Sequence, residues 1–171
     1  TTGAGQGSES MDGAGTGRGK LGYAKKIRVI GDSMYVCGYR RQVYRRAKGG
    51  WVSIADAIHA SPADIGIGFN DIAGNGRGEL FAVGNRGEIW YFDSRTWHAV
   101  DSGTNGHLEA VALRGEQVLV AGRDGVVLAG GSHGFESIGP AIEGMNFWDL
   151  AIFKDRIFAT ASAGVFELDA D

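Results

Sequence analysis

Four segments of this chain repeat one pattern at intervals of 38 to 46 residues, and no other feature restricts the fold as strongly. In each copy a short apolar run ends in a small residue, which is Gly38, Gly84, Gly122 or Ala161. In three copies a glycine follows three residues later, where a tight turn requires a positive φ. The first copy has Arg41 at that position, so we expect its turn to differ or to be strained.

Each unit has room for four short strands, here named a to d. Hydrophobic residues recur with a period close to two from Lys25 onward, and glycine, asparagine, aspartate or serine separates the runs. Strand d carries an aromatic residue in three units, Trp51, Trp97 and Phe135, which we expect to pack between adjacent units. A period of about 40 residues with four strands is typical of a β-propeller blade. The repeat predicts an all-β fold, a propeller of about four four-stranded blades with an incomplete last blade.

The N-terminal segment has a different composition from the repeats. Seven of the 30 glycines lie within residues 1–20, beside almost no apolar side chain. Such a segment cannot offset its ordering entropy by burial, so we expect residues 1–22 to be a flexible arm or linker. The blades are predicted at approximately residues 23–55, 66–103, 106–139 and 145–171. Within the first connection, Ser53–Ala60 suits a short helix or an ordered loop equally well.

The fourth unit reaches only strand c, and the glycine-rich arm makes a poor strand with which to complete it. We therefore expect that the chain does not form a self-closed ring of four complete blades. The two alternatives are a fragment of a longer propeller and a half propeller completed by another copy.

Composition excludes several classes of partner and site. The formal net charge is −3, which gives no overall attraction to nucleic acid or to an anionic membrane. The single cysteine, Cys37, excludes an intramolecular disulfide and suits a reducing compartment, so the expected location is the cytoplasm. The four histidines have no partner at metal-ligand spacing. We expect neither a metal site nor a cofactor.

Three short motifs connect these units to known propeller repeats. They are Leu108-Glu109-Ala110-Val111, Ala82-Val83-Gly84-Asn85-Arg86-Gly87-Glu88-Ile89 and Asp93-Ser94-Arg95-Thr96-Trp97. They resemble the YVTN-type and bacterial neuraminidase-type repeats, and most of all those of the photosystem II assembly and stability factor family. The resemblance covers about residues 24–169 and implies a β-propeller. Propellers serve as enzymes, lectins and scaffolds alike, so the role must be argued from the side chains.

Charged residues recur at two places in the repeat. Arginines occupy the turns between strands b and c, which share one end of a propeller, and we expect them to form a rim. These arginines are Arg40, Arg41, Arg86 and Arg123. Acidic residues occupy equivalent or adjacent positions on the innermost strands, at Asp71, Glu109 and Asp149. This arrangement suits an acidic segment of a partner protein through charge-assisted hydrogen bonds, and the alternative is that the turn arginines are simply solvated.

The resulting hypothesis is a non-catalytic protein-binding propeller module, of the assembly-factor or toxin-neutralising inhibitor type. The alternative is a carbohydrate-binding or glycoside-cleaving propeller. We expect no enzyme, because the chain has no nucleophile elbow and no glycosidase motif around its tyrosines and arginines. Exposed aromatic rings with paired carboxylates in the channel mouth would favour the glycan reading, whereas arginines and apolar loops would favour a protein partner.

Overall fold

The computed structural model describes residues 9–15, 20–64, 66–139 and 142–168, which form fifteen β-strands in four antiparallel sheets. Sheet 1 contains β1 (Ala24–Ile30), β2 (Ser33–Gly38), β3 (Val43–Ala47) and β4 (Gly50–Ser53). Sheet 2 contains β5 (Phe69–Gly74), β6 (Leu80–Gly84), β7 (Ile89–Phe92) and β8 (Trp97–Val100). Sheet 3 contains β9 (Leu108–Arg114), β10 (Gln117–Gly122), β11 (Val127–Gly131) and β12 (Gly134–Ser137). Sheet 4 contains β13 (Phe147–Phe153), β14 (Arg156–Ala161) and β15 (Gly164–Leu168).

Within each sheet the strands pair in chain order, so each sheet is a meander of the kind that builds a propeller blade. The first strands of consecutive sheets are neighbours: β1 with β5, β5 with β9, and β9 with β13. These four strands are therefore the inner strands of an arc of four blades. The predicted all-β propeller with an incomplete last blade is confirmed, since sheet 4 has three strands among the described residues.

Sheets 2 and 3 each lie between two other sheets and bury both faces, because their side chains alternate between the preceding and the following sheet. In β9, Leu108 and Val111 join the cluster between sheets 2 and 3, whereas Ala110 joins the cluster between sheets 3 and 4. We call the face toward the preceding sheet the leading face and the face toward the following sheet the trailing face. Ile72 on the leading face of sheet 2 and Cys37 on the trailing face of sheet 1 belong to the first such cluster.

In sheets 1, 2 and 3 the turns between strands b and c contact the chain segments that connect each sheet to the next one. Each of them hydrogen-bonds the segment that leads into the next inner strand, through Arg40 N to Ile67 O at 2.9 Å, Gly87 N to Gly106 O at 2.6 Å and Gly125 N to Met145 O at 2.5 Å. The first turn is strained, as expected, because Arg41 has a φ of 61° where the other turns have glycine. The preceding residue is also left-handed in that turn, with a φ of 54° at Arg40.

The described part of the N-terminal arm, residues 9–15 and 20–22, contacts sheet 1. The Tyr44 hydroxyl donates to Asp12 O at 2.6 Å, and Gly15 pairs with Gly22 in an isolated bridge. Leu21 is buried and supplies the apolar anchor that the glycine-rich composition concealed. Residues 1–8 and 16–19 of the predicted arm lie outside the described residues.

Helical structure is limited to single turns in the described ranges. The Ser53–Ala60 segment is mostly an ordered loop, with a three-residue 3₁₀ turn at Asp56–Ile58. Similar turns occur at Asn85–Gly87 and Arg123–Gly125. None of the helices in the described part of the chain has the length or apolar character to cross a membrane.

The aromatic residues of strand d pack toward the preceding sheet. The Trp97 indole donates its N–H to Ile54 O at 2.8 Å and stacks on Phe69. Phe135 meets Phe81 of sheet 2 edge to face. These contacts agree with the expectation that such residues fill the space between blades.

Candidate functional site

A bulge lies near the start of every inner strand. The pairing between strands a and b skips one residue in each sheet. The skipped residues, which we call the four bulge residues, are Lys25, Asn70, Glu109 and Trp148. Because a bulge takes its residue out of the ladder, it can re-aim a side chain at the rim of a sheet. The bulges therefore present four chemically different side chains at one end of the arc, where the inner strands begin.

A charged cluster lies just inside this end and joins three of the inner strands. The Arg28 guanidinium donates from Nε and Nη2 to the two oxygens of Asp71, both at 2.9 Å, and from Nη2 to Asp149 Oδ1, also at 2.9 Å. Lys26 Nζ adds a contact of 3.4 Å to Asp149 Oδ2. We call these four residues the central cluster. It links sheet 1 to sheet 2 and, across the arc, to sheet 4.

The hydrogen bonds of Asp71 give that residue a structural role. Its side chain is fully buried, and its oxygens also accept the backbone N–H groups of Ile72 at 2.9 Å and Val111 at 3.2 Å. Contact of Asp71 with a partner stays a prediction, because the carboxylate is enclosed in the free chain. Asp149 is more accessible, with 43% of its side chain exposed.

Opposite charges within the central cluster shift the pKa values of Arg28 and Asp149 toward their ionised forms. Burial opposes the ionised form of Asp149, but Lys26 and Arg28 outweigh it and lower the pKa of this carboxyl group. The hydrogen bond to Asp71 is the main reason why the pKa of Arg28 is raised. Arg28 and Asp149 are therefore both charged at neutral pH.

A second polar network lies beside the central cluster and starts from the bulge residues of sheets 1 and 2. Lys25 Nζ donates to Asn70 Oδ1 at 2.5 Å and lies 4.6 Å from the centre of the Tyr39 ring. Asn70 Nδ2 donates to Asn85 Oδ1 at 3.0 Å, which also lies 2.9 Å from His107 Nδ1. Burial lowers the pKa of Lys25, and the nearby charge of Glu109 opposes that effect.

The four turn arginines lie at this end of the arc but differ in their contacts. Arg40 donates to two backbone carbonyl oxygens, Ala60 O at 2.9 Å and Lys20 O at 3.0 Å. Arg41 binds Glu88 Oε1 through Nε at 2.8 Å and lies over the Trp90 ring, so it ties sheet 1 to sheet 2.

The other two turn arginines occupy the second and third turns. Arg123, which is about half exposed, binds Glu109 Oε1 at 2.9 Å. Arg86 stands at the centre of the second turn with a φ of 59°. The guanidinium of Arg123 therefore contacts a carboxylate of an inner strand and is also open to solvent.

The sequence reasoning missed Lys25, Lys26, Arg28 and Trp148 as site residues. A signal for Arg28 was present in the repeat alignment. It stands four residues after the start of its inner strand, where the other three strands have Ala73, Ala112 and Ala151. A single long cation among three small residues indicates a side chain that reaches across the space the others leave open.

This end of the molecule is richer in positive charge than the whole chain. The central cluster and the bulge residues contain Lys25, Lys26 and Arg28, to which Arg40 and Arg123 add two further cations. The carboxylates facing them are Asp71, Glu109 and Asp149. The turns between strands b and c add Arg41 and Arg86 as cations and Glu88 and Asp124 as carboxylates. Seven cations against five carboxylates give a local excess of positive charge on a chain with a net charge of −3.

A cleft of about 780 Å³ opens at the opposite end of the arc, between sheets 2 and 3. Phe81, Tyr91 and Leu113 line it, together with Glu79. The Tyr91 hydroxyl donates to Glu79 Oε1 at 2.6 Å, and this bond raises the pKa of Tyr91 to about 12. The phenol is therefore neutral at physiological pH.

The Asp93–Trp97 motif has a structural role in the turn before β8. The Asp93 carboxylate accepts the backbone N–H groups of Arg95 and Thr96, each at 2.8 Å. These bonds, with a contact of 3.0 Å to His98 Nε2, lower the pKa of Asp93. The motif closes a turn by the Asx mechanism.

The structure shows the surroundings of the Cys37 thiol and of the residue types that bind metals. Burial raises the pKa of Cys37, which is completely enclosed and therefore stays a protonated thiol. No group of three or more His, Cys, Asp and Glu residues in the described ranges is arranged to hold a metal ion.

The chain is similar in sequence to a curated protein and in fold to solved structures, among them two of YCF48. No family model matches the chain. The immune protein Tsi7 of Pseudomonas aeruginosa is 32% identical over 155 residues, which are 89% of this chain and 50% of Tsi7. The chain therefore spans about half the length of the curated relative that it matches.

Two of the similar solved structures are of YCF48. The structure of YCF48 bound to D1 peptide has a TM-score of 0.57 and 16% identity, and the match covers 86% of this chain and 49% of that one. YCF48 from Cyanidioschyzon merolae has a TM-score of 0.53 and 16% identity, with coverage of 82% and 49%. This likeness confirms the propeller fold that the repeat motifs implied.

Proposed function

We propose that this chain is a non-catalytic protein-binding propeller module of the immunity type, which neutralises a toxin by binding it at the end of the arc that carries the bulge residues. The similarity to an immune protein over 89% of the chain carries this proposal. A solved relative in fold, YCF48, is bound to a peptide. Binding without chemistry suits a site whose carboxylates are already engaged by cations.

We call the end of the arc that carries the bulge residues the mouth. The partner would place an acidic segment of its own against this mouth. Lys25 and Arg123 stand at this end of the arc. Within the described part of the chain, Arg40 donates to backbone carbonyl oxygens and forms no ion pair with a carboxylate. An acidic segment would gain charge-assisted hydrogen bonds from these groups and would be steered toward them through solution. Trp148 is 46% exposed at the same end and offers a large apolar contact of the kind that dominates protein interfaces.

The alternative, a carbohydrate-binding or glycoside-cleaving propeller, needs free paired carboxylates beside exposed aromatic rings in the mouth. Here Asp71 and Asp149 both accept hydrogen bonds from Arg28, and Glu109 accepts one from Arg123. Carboxylates neutralised in this way are poorly placed to protonate or attack a glycosidic bond. We therefore favour the protein partner.

The test begins with affinity capture from the native host, followed by mass spectrometry of the bound proteins. The bait is compared with a Lys25→Glu/Arg123→Glu variant, which reverses two charges at the mouth. A matched control is Arg77→Glu, since Arg77 is exposed in a turn at the opposite end of sheet 2. We expect one protein to be captured by the parent chain and by the control, and to be lost with the double variant.

The captured protein is then titrated calorimetrically. We expect the double variant to weaken its binding at least tenfold, because both reversed charges would face an acidic segment. Equal weakening by Arg77→Glu, or unchanged affinity of the double variant, would place the binding surface elsewhere. Capture of no protein by the parent chain would contradict the proposed function itself.

A further inference from the structure

The leading face of sheet 1 exposes residues that are buried at the same position in every other sheet. Ile27 stands three residues after the start of β1 and is 57% exposed. Its equivalents Ile72, Val111 and Leu150 are at most 9% exposed, because each packs against the preceding sheet. Sheet 1 has no preceding sheet among the described residues. It therefore carries half of an interface of the kind that joins the other blades.

The outermost strand of sheet 1 also carries a residue whose equivalents pack against a preceding sheet. Trp51 on β4 is equivalent to Trp97 and Phe135, both of which contact the preceding sheet. The N-terminal arm occupies part of this region, where Asp12 O accepts the Tyr44 hydroxyl. The arm leaves Val29 73% exposed on the inner strand, so it covers the outer strands and not the inner ones.

The trailing face of sheet 4 carries the complementary half. Val165 is 69% exposed, whereas its equivalents Val43, Ile89 and Val127 are at most 8% exposed. Phe153 on the inner strand of this sheet is also 60% exposed. These two apolar faces, one on the first sheet and one on the last sheet, correspond to the two sides of a blade-to-blade contact.

We propose that two copies of this chain associate through these faces, with the leading face of sheet 1 in one copy on the trailing face of sheet 4 in the other, and the reverse contact at the second junction. Two-fold symmetry would form both junctions at once. Two arcs of four sheets make a ring of eight, which is within the usual size of propellers. The length of Tsi7 supports a second copy as the occupant, because two copies of this chain supply the length of one such relative.

This pairing goes beyond the proposed function, because it concerns how the ring is closed and not what binds at its mouth. In the pair, the central cluster of each copy faces the same channel. The mouth would then be lined by two sets of bulge residues.

Light scattering on the 171-residue chain tests the pairing directly. We expect a mass of twice the 18.0 kDa of one chain at micromolar concentration. Ile27→Glu and Val165→Glu each place a charge in both junctions, so each should reduce the mass to that of a monomer. Val52→Glu is the control, since Val52 is half exposed but its strand position faces sheet 2, and this variant should remain paired. Circular dichroism is recorded to verify that each variant keeps its sheet content.

Mixing the two monomeric variants distinguishes this pairing from pairing of like faces. The intact trailing face of Ile27→Glu and the intact leading face of Val165→Glu can form one undamaged junction. We therefore expect the mixture to associate at concentrations where neither variant does so alone. A parent chain that remains monomeric would overturn the proposal, and so would a Val165→Glu variant that still pairs. The first of these results would mean that the faces are covered by something other than a second copy, such as further blades.

Discussion

Arg28 and Asp71 are joined by two parallel hydrogen bonds of 2.9 Å, although they lie on the inner strands of different sheets and 43 residues apart. The carboxylate is fully buried and the guanidinium is about one-third exposed. The paired geometry fixes the angle between sheets 1 and 2 at the centre of the arc, because a bidentate pair tolerates little rotation. The same guanidinium also donates to Asp149 and so connects sheet 1 to sheet 4.

Replacing Asp71 by asparagine should lower the free energy of unfolding by about 2 to 3 kcal/mol. The substitution removes the buried carboxylate that pairs with Arg28. Breaking a fully buried ion pair costs about 3–5 kcal/mol, and the cost is lower here because Arg28 is partly exposed to water. Urea denaturation followed by tryptophan fluorescence measures the change. Asp149→Asn is the matched control, and its effect should be below about 1 kcal/mol because water screens this pair. Equal effects of the two variants would contradict the structural role of Asp71.

Arg41 combines favourable contacts with an unfavourable backbone conformation. Arg41→Ala removes the contacts with Glu88 and Trp90 and keeps a non-glycine residue at a φ of 61°. Arg41→Gly removes the same contacts and also relieves the left-handed strain of about 1 kcal/mol. We expect the glycine variant to be the more stable of the two by roughly that amount, measured by chemical denaturation. An alanine variant as stable as the glycine variant would show that the turn is unstrained.

Stability should fall as the pH is lowered from 7.5 to 5.5, in part through His59. Burial lowers the pKa of His59 below its usual value of 6.5; the charge of Asp56 opposes this effect and that of Arg40 adds to it. The unfolded chain therefore takes up a proton at a higher pH than the folded chain does, so protonation favours unfolding below about pH 6.5. Denaturation curves at both pH values should show a smaller loss for His59→Gln than for the parent chain. An identical loss in both proteins would exclude His59 as the cause.

Trp97 supplies both ring area and a hydrogen bond between sheets 1 and 2. Trp97→Phe keeps the stacking on Phe69 but leaves Ile54 O without its indole donor, which should cost about 1 to 2 kcal/mol. Trp97→Ala also loses the ring, and a cost of about 3 to 5 kcal/mol is expected. Thermal and urea unfolding of the two variants measure both quantities. If they were equally destabilised, the ring area would contribute nothing.

The repeat predicted the sheets well because blade formation depends on local signals. Turn glycines such as Gly87 and Gly125, and apolar residues with a period of two, act within one unit of about 40 residues. The expected strain at Arg41 followed from the same alignment. The contacts of the arm with sheet 1 did not follow from the alignment, because the glycine-rich composition gives no sign of the buried Leu21 or of the hydrogen bond from Tyr44 to Asp12 O.

The central cluster could not be predicted in the same way. Arg28 and Asp149 are 121 residues apart, and only the curvature of the arc brings them together. The prediction located the turn arginines in the correct turns, but the chain path alone did not reveal that Arg40 would bind backbone carbonyl oxygens and Arg41 a neighbouring glutamate. Side-chain direction at such turns depends on the connections that pass beside them.

The bulges of the inner strands place side chains outside the hydrogen-bond ladder that holds each blade together. A bulge residue has no opposite partner in the ladder, so its side chain can be exchanged while the neighbouring pairs, such as Phe69 with Gly84 and Asp71 with Val83, stay in register. Sheet 4 already accommodates an indole there and sheet 1 an ammonium group. On the proposed binding surface, positions 25, 109 and 148 are therefore open to exchange without rebuilding the blades, which gives an engineer a way to alter that surface. Asn70 is different, because it is buried and donates to Leu108 O of the next inner strand.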